Sequence, residues 1–163
     1  MKTLYLIRHA KSDQSFFGND FERPLNARGL KDAPIMAKKL IDKIIQLDAL
    51  VSSPALRAKT TAELFATAFK KKSKEIIFKP ELYHASAKVL NEVVAALSNE
   101  WKQVAIFCHN PGITYFADEL VEDVSIDNMP TCGIFAVQLD KNNWSDFEKS
   151  TKTFLFFDWP KNV

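Results

Sequence analysis

Short apolar blocks alternate along this chain with longer stretches in which apolar residues recur every third or fourth position. The first block, Leu4 to Ile7, is too short for a helix and reads as a buried strand over residues 3–8. Ile35, Met36, Leu40, Ile41, Ile44 and Ile45 recur at helical spacing and predict a helix over 27–45. "DALVSSP" predicts a short strand that ends at Ser52-Ser53-Pro54. Ser53 is then the N-cap, and Pro54 the first residue, of a helix through "PALRAKTTAELFATAFKK". "KEIIFKP" is a brief strand, and Ser86 opens a helix over 86–101 with Val89, Leu90, Val93, Val94 and Leu97 on one face. The run Val104 to Cys108 repeats the opening pattern, a helix over about 113–121 follows, and "CGIFAVQL" and "KTFLFFDW" are the last strands. Strands alternating with helices predict an α/β fold with a largely parallel sheet, uninterrupted by any repeat or linker.

One stretch breaks the alternation. "KSDQSFFGNDFERPLNARG" is polar, carries Gly18, Pro24 and Gly29, and reads as a loop. Long loops in small domains are more often functional than decorative. Phe16, Phe17 and Phe21 are more apolar than a loop needs and are expected to pin it to the core, or to line a groove for a partner.

Composition narrows the classes. The 163 residues suit one domain with a sizeable core. A net charge of +2 gives no reason to expect a nucleic-acid or membrane surface. The chain shows neither a signal-peptide pattern nor an apolar run of the ~18 residues that a membrane span needs, so a cytoplasmic location is expected. Two cysteines, Cys108 and Cys132, suit reduced, buried thiols better than a disulfide framework or a zinc site.

In open α/β sheets, sites form beyond the carboxyl ends of the strands. Here that rule brings together Arg8 and His9 after the first strand, Arg57 in the first turn of the second helix, and His109 after the strand at 104–108. Two arginines, two histidines and a helix N-terminus at one rim suit an anion, since guanidinium forks match phosphate oxygens in pairs. A neutral imidazole among them can attack phosphorus.

Arg8-His9, "SSPALRAKTTAEL" and the late His109 resemble the histidine phosphatase superfamily, whose hallmark is an Arg-His-Gly start. The ordered phrases "RHAKSD", "DFERPLNARG", "SSPALRAKTTAE", "LYHAS" and "CHNPG" resemble its SixA-like phosphohistidine phosphatase branch over about residues 3–140. The resemblance implies a phosphoglycerate mutase-like, three-layer α/β/α fold with a mostly parallel central sheet, and residues 1–163 as one domain. It implies His9 as the phosphorylated nucleophile, with Arg8, Arg57 and His109 gripping the phosphoryl oxygens and no metal or other cofactor needed. Arg23 matches an arginine lining the substrate groove, and Ser12 and Asn110 are further candidates for substrate contact. The chain departs from the pattern at Ala10, where glycine is usual, and at Cys108, where glycine often precedes the second histidine.

Ester-cleaving members of the superfamily carry a glutamate as general acid after the second helix. Here that segment reads "KPELYHAS"; His84 stands at the equivalent position and Glu81 lies three residues before it. An alkoxide leaving group needs a proton, and losing the acid costs roughly 10²–10⁴-fold. Imidazole leaves more readily, which favours a phosphoramidate over an alkyl phosphate. The expected partner is therefore a phosphorylated protein or a small phosphorylated substrate. The alternatives are a small-molecule phosphomonoesterase using Glu81 or His84, and a non-catalytic phosphate-recognition module. Other chemistries fail on the letters. A cysteine phosphatase needs arginine six residues after cysteine, and positions 114 and 138 hold Thr114 and Gln138. The four glycines make no phosphate loop of the GxxxxGK type. Two arginines in the pocket would repel a zinc ion held by His9, His84 and His109.

Overall fold

The computed structural model describes residues 1–162. Six strands, β1 (Lys2–Arg8), β2 (Ala49–Ser52), β3 (Ile77–Phe78), β4 (Gln103–Cys108), β5 (Ile134–Leu139) and β6 (Lys152–Asp158), form one sheet in the order β3-β2-β4-β1-β5-β6. The pairs β3-β2, β2-β4 and β4-β1 are parallel, whereas β5 and β6 join antiparallel. Four helices, α1 (Ala27–Asp42), α2 (Leu56–Ala68), α3 (Ala87–Ala95) and α4 (Gly112–Leu120), cover the two faces.

Strand alternation explains the layering. Leu4 and Leu6 of β1, with Val104 and Ile106 of β4, face Leu90, Val93 and Val94 of α3 and Ile113 and Phe116 of α4. Tyr5, Ile7 and Phe107 point the other way, into Met36 and Leu40 of α1 and Ala62 and Phe65 of α2. A central strand buried on both faces has no polar positions to spare, so the opening run is continuous rather than alternating. The result is the three-layer α/β/α arrangement expected from the sequence.

Register sets the site. Arg8 is level with Cys108, and Ser52 with Phe107, so β1, β2 and β4 end at one height on neighbouring strands. The residues that follow, His9, Ser53 and His109, therefore start side by side. Two glycines let loops close over this edge. A Cβ at Gly29 would sit 2.1 Å from the Lys11 carbonyl oxygen, and one at Gly112 only 1.8 Å from that of Ala85.

Element ends differ from the sequence reading in three places. α1 stops at Asp42, two residues before Ile44 takes a left-handed φ of 60°. α3 stops at Ala95, so Leu97 and Trp101 pack onto the core from outside the helix. α2 begins at Leu56 with Ala55 as its N-cap, not at Pro54 with Ser53 capping. The Ser53 hydroxyl does accept from the Ala55 N–H at 3.2 Å, but its main partner is in the site.

Candidate active site

His9 follows β1 and is held by its backbone on both sides. Its N–H donates to the Cys108 carbonyl at 3.1 Å, and its carbonyl accepts from the Cys132 N–H at 3.0 Å. The ring Nδ1 lies 2.8 Å from the Ala10 carbonyl oxygen. A carbonyl only accepts, so Nδ1 carries the proton and Nε2 keeps its lone pair. Ala10 is fixed in turn, because its N–H donates to Thr61 Oγ1 at 3.0 Å and that hydroxyl donates to the Arg57 carbonyl at 2.7 Å. His9 is only 5% exposed. Burial holds its pKa well below an ordinary histidine's; His109, Arg8 and Arg57 push the same way, and only the bond to Ala10 opposes them.

Three further groups, Arg8, Arg57 and His109, line one cavity with His9. Arg8 Nη1 donates to the Met129 carbonyl at 2.9 Å. Arg57, 4% exposed, donates from Nη1 to the Asp20 carbonyl at 2.7 Å and from Nη2 to Asp20 Oδ2 at 3.0 Å. The His109 ring lies 5.2 Å from that of His9, centroid to centroid, and its Nε2 is 2.8 Å from Ser53 Oγ. Ser53 Oγ also accepts from the Ala55 N–H, so this hydroxyl links the start of α2 to the His109 ring. Burial, reinforced by Arg57 and His84, lowers the pKa of His109 to about 3, so the ring is neutral near pH 7.

Among the described residues, four buried side-chain polar atoms lack a hydrogen-bond partner: Arg8 Nε, Arg57 Nε, His109 Nδ1 and Asp32 Oδ2. Three of the four belong to residues that line one cavity of about 240 Å³ beside His9, and the two arginine Nε–H groups among them are donors. Buried donors are normally satisfied, and two guanidinium orphans beside one small space suit an anion with several acceptor oxygens.

The remaining candidates separate. Arg23 and Ser12 line the cavity, but Arg23 Nη1 already donates to Ser12 Oγ at 2.8 Å and its Nη2 to Asp20 Oδ1 at 3.0 Å. Asn110 lines it too, with its amide spent on Asn128 Oδ1, the Met129 carbonyl and Thr114 Oγ1. It thus acts on Arg8 indirectly, since both donate to the same Met129 carbonyl. Lys11 lines the cavity as well. His84 does not line the cavity; it is exposed, has a left-handed φ of 61°, and packs its ring 3.9 Å from that of Tyr83. Glu81 lines a different cavity, with Lys79 and Glu92. Phe17 is 98% exposed, so it does not pin the loop, whereas Phe21 stands edge-on to Tyr83 at 5.1 Å. Ser53, Thr61, Met129 and above all Asp20 escaped the sequence reading. Asp20 lies in a loop without periodicity, and two of its partners are 37 and 63 residues away.

Residues 4–86 match the histidine phosphatase superfamily (branch 1), which is more than half of the chain. The chain belongs to that superfamily. An uncharacterized protein of Picosynechococcus sp. is 33% identical over 66 residues, 40% of this chain, and the match spans only 40% of that relative. A solved structure of the protein histidine phosphatase SixA complexed with tungstate superposes with a TM-score of 0.82 at 25% identity, over 98% of each chain. The native structure of mycobacterial glucosyl-3-phosphoglycerate phosphatase shares the fold, with a TM-score of 0.75 at 15% identity over the whole of both chains. This histidine phosphatase is thus SixA-like in sequence pattern and shape, and its fold is also used by phosphatases of small molecules.

Proposed function

We propose that this chain hydrolyses phosphohistidine on a protein, through a phosphorylated intermediate on His9. The reading rests on one observation above all: the unpartnered, buried Nε–H groups of Arg8 and Arg57 belong to residues that line one cavity with the neutral imidazole of His9. His9 Nε2 would attack phosphorus as the bond from phosphorus to the substrate's imidazole nitrogen breaks; that nitrogen keeps the bonding pair, and the departing ring, protonated by solvent on its other nitrogen, leaves neutral. Arg8, Arg57 and His109 would bind the three equatorial oxygens, where charge is greatest in the transition state. Water then attacks the phosphorus on His9, releasing inorganic phosphate and restoring the imidazole.

The choice of leaving group is supported by the lining. Its residues are Arg8, His9, Lys11, Ser12, Gln14, Arg23, Arg57, His109, Asn110 and Thr131, without a carboxylic acid to protonate an alkoxide. A sugar or alkyl phosphate would need Glu81 or His84, neither of which borders this space. The test is a panel: a phosphohistidine peptide against a sugar phosphate, with alkaline-quench trapping of the phosphoenzyme. The expected result is preference for the peptide and label on His9. Unchanged hydrolysis by His9→Ala would refute the enzymatic reading, and preference for the sugar phosphate would refute the substrate.

A further inference from the structure

Asp20 is the most heavily used acceptor near the cavity and does not itself line it. Its Oδ1 takes the Arg23 Nη2 hydrogen at 3.0 Å; its Oδ2 takes Arg57 Nη2 at 3.0 Å and the Tyr83 hydroxyl at 2.7 Å; its backbone carbonyl takes Arg57 Nη1 at 2.7 Å. The donors come from its own loop, from α2, and from the segment ahead of α3. Tyr83, so held, lies edge-on to the His109 ring at 5.6 Å. One exposed-loop carboxylate therefore ties together three chain segments that border the phosphate cavity.

The way it holds Arg57 has a chemical consequence. A guanidinium presents five N–H bonds in one plane, with an end edge formed by the two terminal nitrogens and a side edge that includes Nε. Asp20 takes the end edge with two oxygens, one from its backbone and one from its side chain. The side edge is left over, and its Nε is unpartnered. The two Asp20 contacts, together with the side chain's own tether to α2, fix the guanidinium plane and so where the Nε–H points. Asp20 is not a proton donor. The Tyr83 hydroxyl first, then Arg57 and Arg23, hold its carboxyl below the usual carboxylate range, so both oxygens are bare acceptors.

We infer that Asp20 is a positioning residue that splits the Arg57 fork, holding one edge so that the other is aimed at the phosphoryl group. The inference rests on the phosphatase reading above and adds to it a residue that touches neither substrate nor nucleophile. Losing the carboxylate removes one of the two points that hold the guanidinium, and misplacing a catalytic group by about 1 Å can cost up to ~100-fold. Because the effect runs through Arg57, it must disappear when Arg57 is gone.

The experiment is a double-mutant cycle of Asp20→Ala and Arg57→Ala on the full chain, read as kcat, KM and the affinity for vanadate, a transition-state analogue. Asp20→Ala is expected to lower kcat at least ~10-fold, with KM changed less than ~3-fold and vanadate affinity falling in parallel with kcat/KM. In the Arg57→Ala background the same substitution should change kcat less than ~2-fold. An equal loss in both backgrounds would show a loop-anchoring role and overturn the inference, as would an Asp20→Ala variant within ~2-fold of wild type. Asp20→Asn, which keeps the shape and one acceptor, covers the case in which the alanine variant unfolds, and kcat unchanged in the asparagine variant would overturn the inference equally. Phosphate label on His9 of the unaltered protein is scored separately, so loss of the phosphatase reading is not confused with loss of this one.

Discussion

Acidification from pH 7 to pH 5 should destabilise this fold through two imidazoles in particular. His9 and His109 are both 5% exposed, both neutral, and both placed where a proton would add charge beside Arg8 and Arg57. In the unfolded chain each has an ordinary pKa near 6.5, and in the folded chain each lies lower, at about 3 for His109. Between those values the unfolded state binds more protons than the folded one, so stability falls as pH falls. At pH 5, 1.5 units below the unfolded value, His109 contributes about 2 kcal/mol of lost stability relative to pH 7, and His9 adds to the loss in the same direction. Asp20 does not offset this: its folded pKa is depressed, so the stability it contributes is present above 3.8 and lost only below it. Against a total of roughly 5–15 kcal/mol, the loss is large enough to measure. Urea denaturation at pH 7, 6 and 5 gives the wild-type slope, and the doubly substituted His9→Asn, His109→Asn chain gives the remainder. If the double variant loses as much as the wild type, or if long-range 1H–15N correlations show the His109 ring protonated at pH 5, the reasoning fails.

Two substitutions test the shell behind the site. Ser53→Ala removes the partner of His109 Nε2 at 2.8 Å, freeing the ring to turn away from the cavity; kcat should fall roughly 10–100-fold on the scale of a lost oxyanion donor, and an unchanged kcat would refute the role given to Ser53. Thr61→Val keeps the shape but leaves the Ala10 N–H buried and unpaired, so thermal unfolding should show a loss of about 1–3 kcal/mol, and no measurable loss would count against the role given to this hydroxyl.

What the sequence made legible follows from how far each signal reaches. The continuous runs at β1 and β4, and the helical spacing in α1 and α3, are local patterns and marked the elements to within a few residues, with the helix ends least well placed. His9, Arg57 and His109 were readable because each sits at the end of such an element, where topology rather than packing decides position. Asp20 and Phe17 belong to a loop, whose path depends on contacts with distant chain segments. Asp20 carried no signal in the sequence, and Phe17, which looked like an anchor, is bare to solvent. Ser53 was seen as a cap because its neighbours suit one; only the parallel register of β2 and β4 shows that its hydroxyl meets His109 first.

Charge at this site is arranged in a way that ties nucleophile, stability and leaving group together. Burial among arginines keeps His9 neutral, which a nucleophile requires, and the same burial makes the fold sensitive to acid. The arginines themselves are tethered through their terminal nitrogens to the Met129 carbonyl and to Asp20, which leaves both Nε groups unpaired. A carboxylic acid inside the cavity would compete for those donors and weaken the hold on phosphate. Cleaving an ester would require accepting that competition, because an alkoxide cannot depart without a proton. A substrate whose leaving nitrogen is readily protonated avoids the conflict, and this is the physical reason the cationic cavity and the phosphohistidine reading belong together.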